Sequence, residues 1–230
     1  MAGVSRLQYT TETKLIRVMC TGRIDMSFIL RAFSNGNDGV FVGGCRLNEC
    51  NYLTHGNHHA LNTVLLFKKI MEYIGLNPAR LRIEFMTSGE GILFAEIMND
   101  FGKQIKQIGP LGQAEGLDRN KLKLKLEAVK NLIPYIRLVE RERMRAHFNT
   151  EEEYKKYYAG EEANRLFREL IGDKLAISQI MLLLQEKPLS SGEISEKLGL
   201  NSSEVSKHIK NSTRQRLIRF DENQKRFALC

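Results

Sequence analysis

Between Lys14 and about Lys106 the sequence alternates short apolar, β-branched runs with longer segments of helical periodicity, which leaves few folds open. Residues 14–19 read as a first strand, 39–42 as a second, and 81–85, entered through Pro78, as a third. Asp25 is placed to cap a helix through Phe33, with Gly36 as its stop. A second helix is expected over 58–74, with Leu61, Leu65 and Ile70 apolar and Gly75 ending it. Ser88 and Gly89 open a third, in which Ile92, Leu93, Ala95, Ile97 and Phe101 keep one side largely apolar. Strands alternating with helices imply parallel βαβ units with right-handed crossovers. The expected fold class is therefore α/β: a small parallel sheet of three or four strands with flanking helices. Such a sheet normally has both sides covered, and its first strand begins within 15 residues of Met1. The chain reads as though an upstream strand were missing.

Three cysteines fall at or just past the ends of two of the apolar runs. Cys20 closes Ile16–Cys20, Cys45 follows Val40–Gly44, and Cys50 comes five residues later. Parallel strands deliver their carboxyl ends to one edge of an open sheet, where ligands bind. Cysteines 25 residues apart in sequence are thus expected to converge there. Soft thiolates gathered at one edge select an iron–sulfur cluster or zinc. The C-x4-C spacing of Cys45 and Cys50 occurs among iron–sulfur ligands. Cys45, Cys50, His55 and either His58 or His59 also form a run able to supply tetrahedral S2N2 coordination to zinc, which leaves Cys20 unused. Against both stands the tendency of free cysteine to serve as a small buried hydrophobe. Cys45 and Cys50 lie in a polar segment after Gly43-Gly44, where core packing is not the demand. No P-loop is present, Gly43-Gly44 is too short for a dinucleotide fingerprint, and Gly89-Glu90-Gly91 reads as a helix start.

Four cysteines without an apolar leader point to a reducing cytoplasm and to ligand or redox roles, with no part for the terminal Cys230. No apolar run approaches the roughly 18 residues of a membrane span. The net charge of +8 is uneven: residues 1–115 hold 12 basic and 10 acidic side chains, residues 116–230 hold 23 and 17. A basic balance favours acidic partners, here modestly and mainly through the second half.

Gly109-Pro110-Leu111-Gly112 is expected to close an α/β domain of residues 1–112. A helical connector follows over 113–172, with one helix over 118–132, a restart at Pro134, and a capping box at Thr150-Glu151-Glu152-Glu153. Residues 173–230 read as a winged helix-turn-helix. Asp173 caps its first helix, Ser190-Ser191-Gly192-Glu193 opens the second, Asn201-Ser202-Ser203-Glu204 caps the third, and 217–220 and 226–229 form a hairpin. The third helix offers Ser203, Ser206, Lys207, Lys210, Asn211 and Arg214 outward, with Lys225 and Arg226 near the wing. Residues 174–230 carry 10 basic and 6 acidic side chains, which permits phosphate contacts without demanding them. Protein docking is the other use of such a module.

Val18-Met19-Cys20-Thr21-Gly22-Arg23, Gly43-Gly44-Cys45, Cys50-Asn51-Tyr52 and Ala2 through Tyr9 resemble the delta, iron–sulfur subunit family of methyl-viologen-reducing hydrogenase, over about residues 2–108. Stretches of 131–230, including Pro134 through Arg141, resemble the family's long form with a winged-helix tail. The resemblance implies a [2Fe–2S] protein with Cys20, Cys45 and Cys50 as ligands. It implies a relay of electrons from a hydrogenase or formate dehydrogenase to the flavin-containing A subunit of heterodisulfide reductase. The family pattern also has an upstream strand and a Cys-x-Trp-Cys motif just before Ala-Gly-Val-Ser; this sequence begins at that segment and contains no tryptophan. Three thiolates are one short of the usual four. A shortened gene model is the expectation; a ligand from another polypeptide and a lost cluster are the alternatives.

Two functions follow from these residues. One is a non-catalytic electron-transfer subunit of an oxidoreductase complex; the other is a redox- or metal-responsive regulator that binds nucleic acid through the winged helix. No acid–base or nucleophile constellation suggests a stand-alone catalyst.

Overall fold

Asp25 opens helix α1 (Met26–Ser34), its carboxylate accepting the backbone N–H of Ser27 at 2.7 Å, and Gly36 follows the helix at φ +81°. In this computed structural model, which describes residues 7–52 and 55–230, the chain then enters strand β1 (Val40–Gly44). Helix α2 (Asn57–Tyr73) leads to a positive-φ turn at Gly75 and to strand β2 (Leu81–Phe85), and helix α3 (Gly91–Ile108) closes the run. The strands pair in parallel, Val40 opposite Leu81 through Gly44 opposite Phe85, so β1–α2–β2 is a βαβ unit. Its core is built where apolar spacing meets the sheet: Ile29, Leu30 and Phe33 of α1, Leu61, Leu66, Phe67 and Ile70 of α2, and Leu81 of β2 are all buried. The Ala2–Arg6 part of the family-like segment lies outside the described residues.

Residues 14–19 do not form the expected first strand. Ile16 is 85% and Met19 93% exposed, and among the described residues the parallel sheet has two strands, not three or four. β-branched residues supply the propensity, but strand formation needs a partner and a surface to pack on.

The fold divides into two compact units. One comprises the chain up to Leu117 with Glu140–Asn164; the other comprises Asp118–Val139 with Arg165–Cys230. The stretch 113–172 expected as a connector is thus shared between them. Its helix α4 (Arg119–Val139) does not restart at Pro134 but runs through it, with Ile133 and Ile136 buried on either side. Burial of those flanks outweighs the hydrogen bond that proline removes. A single π turn (Glu140–Met144) leads to α5 (Glu151–Ala159), opened by the expected Thr150–Glu153 capping box, and then to α6 (Glu161–Phe167).

The second unit ends in a winged helix. Asp173 does not cap α7 (Asp173–Glu186): the backbone arrives already helical from a π turn at Arg168–Gly172, and the Asp173 carboxylate pairs with Lys207 at 3.0 Å. Ser190 and Asn201 make the expected capping boxes for α8 (Ser191–Leu198) and α9 (Ser202–Arg214), with Gly199 left-handed between them. Strands β3 (Ile218–Asp221) and β4 (Arg226–Leu229) form an antiparallel hairpin, and Leu189 adds a bridge to Phe227. Ile180, Leu184, Ile194, Val205, Ile209 and Ile218 share its core. Among the described residues, no helix is long and apolar enough to cross a membrane.

Candidate metal centre

Cys45 leaves the carboxyl end of β1, as the sequence requires, whereas Cys20 arrives on extended chain and caps a single 3-10 turn (Thr21–Arg23). The Cys20 sulfur accepts the backbone N–H of Gly22 at 3.4 Å. Thr21 reaches over to β1, its hydroxyl donating to the Gly43 carbonyl at 3.4 Å. Two glycines allow this approach. A Cβ on Gly22 would sit 2.0 Å from the His55 carbonyl oxygen, and one on Gly56 would sit 2.3 Å from the Cys50 sulfur. Any larger residue at either place would force these segments apart.

The three thiols interact. Burial acts to raise the Cys50 pKa, but N–H donation from the Tyr52 and Asn57 backbones and the side chains of Cys45 and Cys20 lowers it overall. Asn57 is the first residue of α2, which has no side-chain cap, so a helix N-terminus directs an unshared N–H at this sulfur. Cys45 moves the other way: burial and then its hydrogen bond and charge interaction with Cys50 push its thiol up.

Sequence reasoning missed Asn57. Fully buried, it donates through Nδ2 to the carbonyls of Cys45 (2.8 Å) and Arg46 (2.6 Å) and to the Cys45 sulfur at 3.6 Å. Its Oδ1 is buried without a hydrogen-bond partner. An asparagine at a helix start reads as solvated or capping, and nothing in the sequence signals that it turns back onto the cysteine loop.

Two histidines of the zinc alternative are engaged elsewhere. His58 is buried with its Nδ1 2.9 Å from Tyr154 Oη and its ring 5.0 Å from that of His147. His59 turns to Glu140, 3.9 Å away, which is itself held by Arg145 at 2.6 Å. Among the described residues no group of three or more His, Cys, Asp or Glu side chains is drawn close enough to hold a metal ion. The described residues therefore suit an iron–sulfur cluster in donor type and in the N–H groups offered to sulfur. They fall short of it in spacing, and at three thiols in number.

His58 carries a prediction for pH. Burial, then the charge of His147, lowers its pKa, so the unfolded chain binds a proton there before the native state does. Its stabilising contribution is complete above the unfolded value of about 6.5 and is lost as pH falls below it. The urea midpoint of the first unit will drop between about pH 7 and pH 5, and H58Q will flatten that slope. An unchanged slope in H58Q would assign the loss elsewhere.

Residues 1–109 match the model of the methyl-viologen-reducing hydrogenase delta subunit. The iron-sulfur D subunit of an F420-non-reducing hydrogenase from Archaeoglobus profundus is 43% identical over 110 residues, 48% of this chain and 80% of that protein. This chain belongs to the methyl-viologen-reducing hydrogenase delta subunit family. The iron-sulfur D subunit of the vhc F420-non-reducing hydrogenase from Methanococcus voltae is 42% identical over 109 residues, 47% of the chain and 75% of that protein. In Methanosarcina acetivorans the similar protein is the A subunit of a ferredoxin/F(420)H(2)-dependent CoB-CoM heterodisulfide reductase, 41% identical over 112 residues. That alignment takes in 49% of this chain but only 14% of the reductase protein's length. Residues 178–219 match a separate model, the bacterial regulatory protein of the arsR family, over the winged helix. Family membership thus rests on the cysteine-bearing part of the chain.

Proposed function

We propose that this chain is a cytoplasmic iron–sulfur electron-transfer subunit of an oxidoreductase complex. Cys20, Cys45 and Cys50 would be ligands of a [2Fe–2S] cluster, the fourth coming from outside the described residues. It would carry electrons from a hydrogenase or formate dehydrogenase to a flavin-containing A subunit of heterodisulfide reductase. The observation that supports this most is the interaction of the Cys50 thiol with both Cys45, in the same loop, and Cys20, from a separate segment. Relatives named as iron-sulfur subunits support the cofactor class. The Methanosarcina relative, in which the matched stretch belongs to the A subunit of a reductase, supports the partner.

When bound, a cluster of this kind takes up and releases one electron at a time. The chain's own residues would tune it. The α2 N-terminus and the N–H groups of Gly22 and Asn57 stabilise negative charge on sulfur, and such hydrogen bonds shift reduction potentials. Met19 and Tyr52, neighbours of Cys20 and Cys50, are 93% and 64% exposed and would leave the rim open to an apolar partner surface. The test is iron and sulfide analysis with an absorption spectrum after anaerobic reconstitution, on the protein alone and beside the reductase A subunit. Two irons and two sulfides per chain in either case support the relay. Zinc, or no metal in both, overturns it.

The arsR-family match favours a second reading, a metal- or redox-responsive regulator that binds DNA. Lys210 and Arg214 are exposed on α9, whereas Lys207 is paired with Asp173 and Arg226 with Glu193 at 3.1 Å. If the module binds DNA, K210A and R214A will each reduce the slope of log K against log salt by about one. Slopes unchanged from the parent, or no salt-sensitive binding at all, would leave α9 as a protein-docking helix.

A further inference from the structure

The family match ends at residue 109, yet residues 140–164 pack back into the cysteine-bearing unit. They bond to it along α2, at its first turns and, from Lys69 to Asn164, further on. Tyr154 Oη and His58 Nδ1 are hydrogen-bonded at 2.9 Å in a buried position. The Asn62 side chain exchanges two hydrogen bonds with the Ala146 backbone, at 2.9 and 3.0 Å, and also accepts from the buried Tyr158 hydroxyl at 3.0 Å. Asn48, inside the loop between Cys45 and Cys50, donates to the Asn149 carbonyl at 3.0 Å. The same first turn of α2 carries Asn57, which holds Cys45, and the N–H that reaches Cys50.

We propose that the 140–164 arm is a positioning element for the three cysteines. It clamps the start of α2 from one side and the Cys45–Cys50 loop through Asn48, so the spacing of the thiols depends on a segment outside the family-matched domain. Buried tyrosine hydroxyls are costly to leave unpaired, and the Tyr154–His58 and Tyr158–Asn62 bonds form only when the arm is seated. The role of the thiols as ligands rests on the function proposed above; the dependence of their spacing on the arm does not.

The experiment uses the full chain without metal, with C230S removing the exposed thiol of the second unit. The probe is a dibromobimane cross-linker, which fluoresces once both its arms have reacted with neighbouring thiols. Y154F keeps the ring and deletes one hydroxyl. N48G removes the loop contact at a position whose φ of +68° glycine accepts. The control is I70V, a conservative change to a buried apolar side chain of α2 that makes none of these hydrogen bonds. In the Y154F/N48G double variant the ratio of cross-linked to singly labelled protein will fall about fivefold, on the scale of one lost hydrogen bond, while I70V keeps the parental ratio. N48G alone, an exposed change, will show a smaller fall in the same direction and serves if the double variant does not fold. Parental ratios in the folded variants would overturn the proposal. A fall in the ratio in a protein that never takes up iron would keep the arm's role and discard the cluster.

Discussion

C20A and C45A will each take up essentially no iron or sulfide on anaerobic reconstitution, while circular dichroism retains the helical signal of the second unit. A thiolate ligand cannot be replaced by a methyl group, and the fourth cysteine, Cys230, is an exposed residue of the second unit. C230A will therefore load as the parent does. N57A separates ligand from support. It leaves all three sulfurs but removes the donor that reaches the Cys45 sulfur and two loop carbonyls, and outer contacts of this kind typically contribute about 10–100-fold in metal affinity. The ordering C45A below N57A below parent is the expected result. Full iron content in C20A or C45A would remove that residue from the ligand set. Full loading in C20A alone would also revive a site built on Cys45 and Cys50.

Much of this architecture was legible because it is decided locally. The Asp25 cap, the boxes at Thr150, Ser190 and Asn201, and the turn at Gly199 each satisfy helix ends within a few residues, so a short window of sequence contains the whole interaction. Cys45 was placed by the strand before it. The errors lie where distant chain decides. Residues 14–19 have strand-forming side chains but no strand beside them, so Ile16 and Met19 stand in solvent. Asp173 has a capping side chain, yet the preceding segment is already helical, and the carboxylate turns to Lys207. His58 and His59 suggested ligands by spacing alone; the arm that occupies them returns at Tyr154 and Glu140, far downstream. Family resemblance supplied the cysteine roles, and no periodicity could have supplied Asn57.

The largest loss of stability is expected at a residue that hydropathy patterns would leave on the surface. R80A will destabilise the first unit by about 3–5 kcal/mol, the usual cost of removing one partner from a buried ion pair. Arg80 is fully buried, just before β2. Its Nε and Nη2 reach the two Glu115 oxygens at 2.6 and 3.2 Å, and its remaining N–H groups reach the carbonyls of Asp38, Gly109 and Pro110 at 3.0, 2.8 and 3.2 Å. One guanidinium thus ties the approach to β1, the end of α3 and the loop after it to the entry of β2, at the amino ends of the two strands and opposite the sheet edge where Cys45 emerges. Glu115 accepts further N–H bonds from Asn77 and Gly112, and these with Arg80 hold its pKa down against burial. Without Arg80 that carboxylate and three carbonyls lose their donor. R80K will recover little, because an ammonium lacks the planar fork that meets five acceptor directions. The R80M/E115L double variant will be less destabilised than R80A, since it removes the charge that R80A strands. Urea midpoints of the three variants decide the matter: a loss below about 1 kcal/mol in R80A would mean the pair is no more than a surface salt bridge in effect.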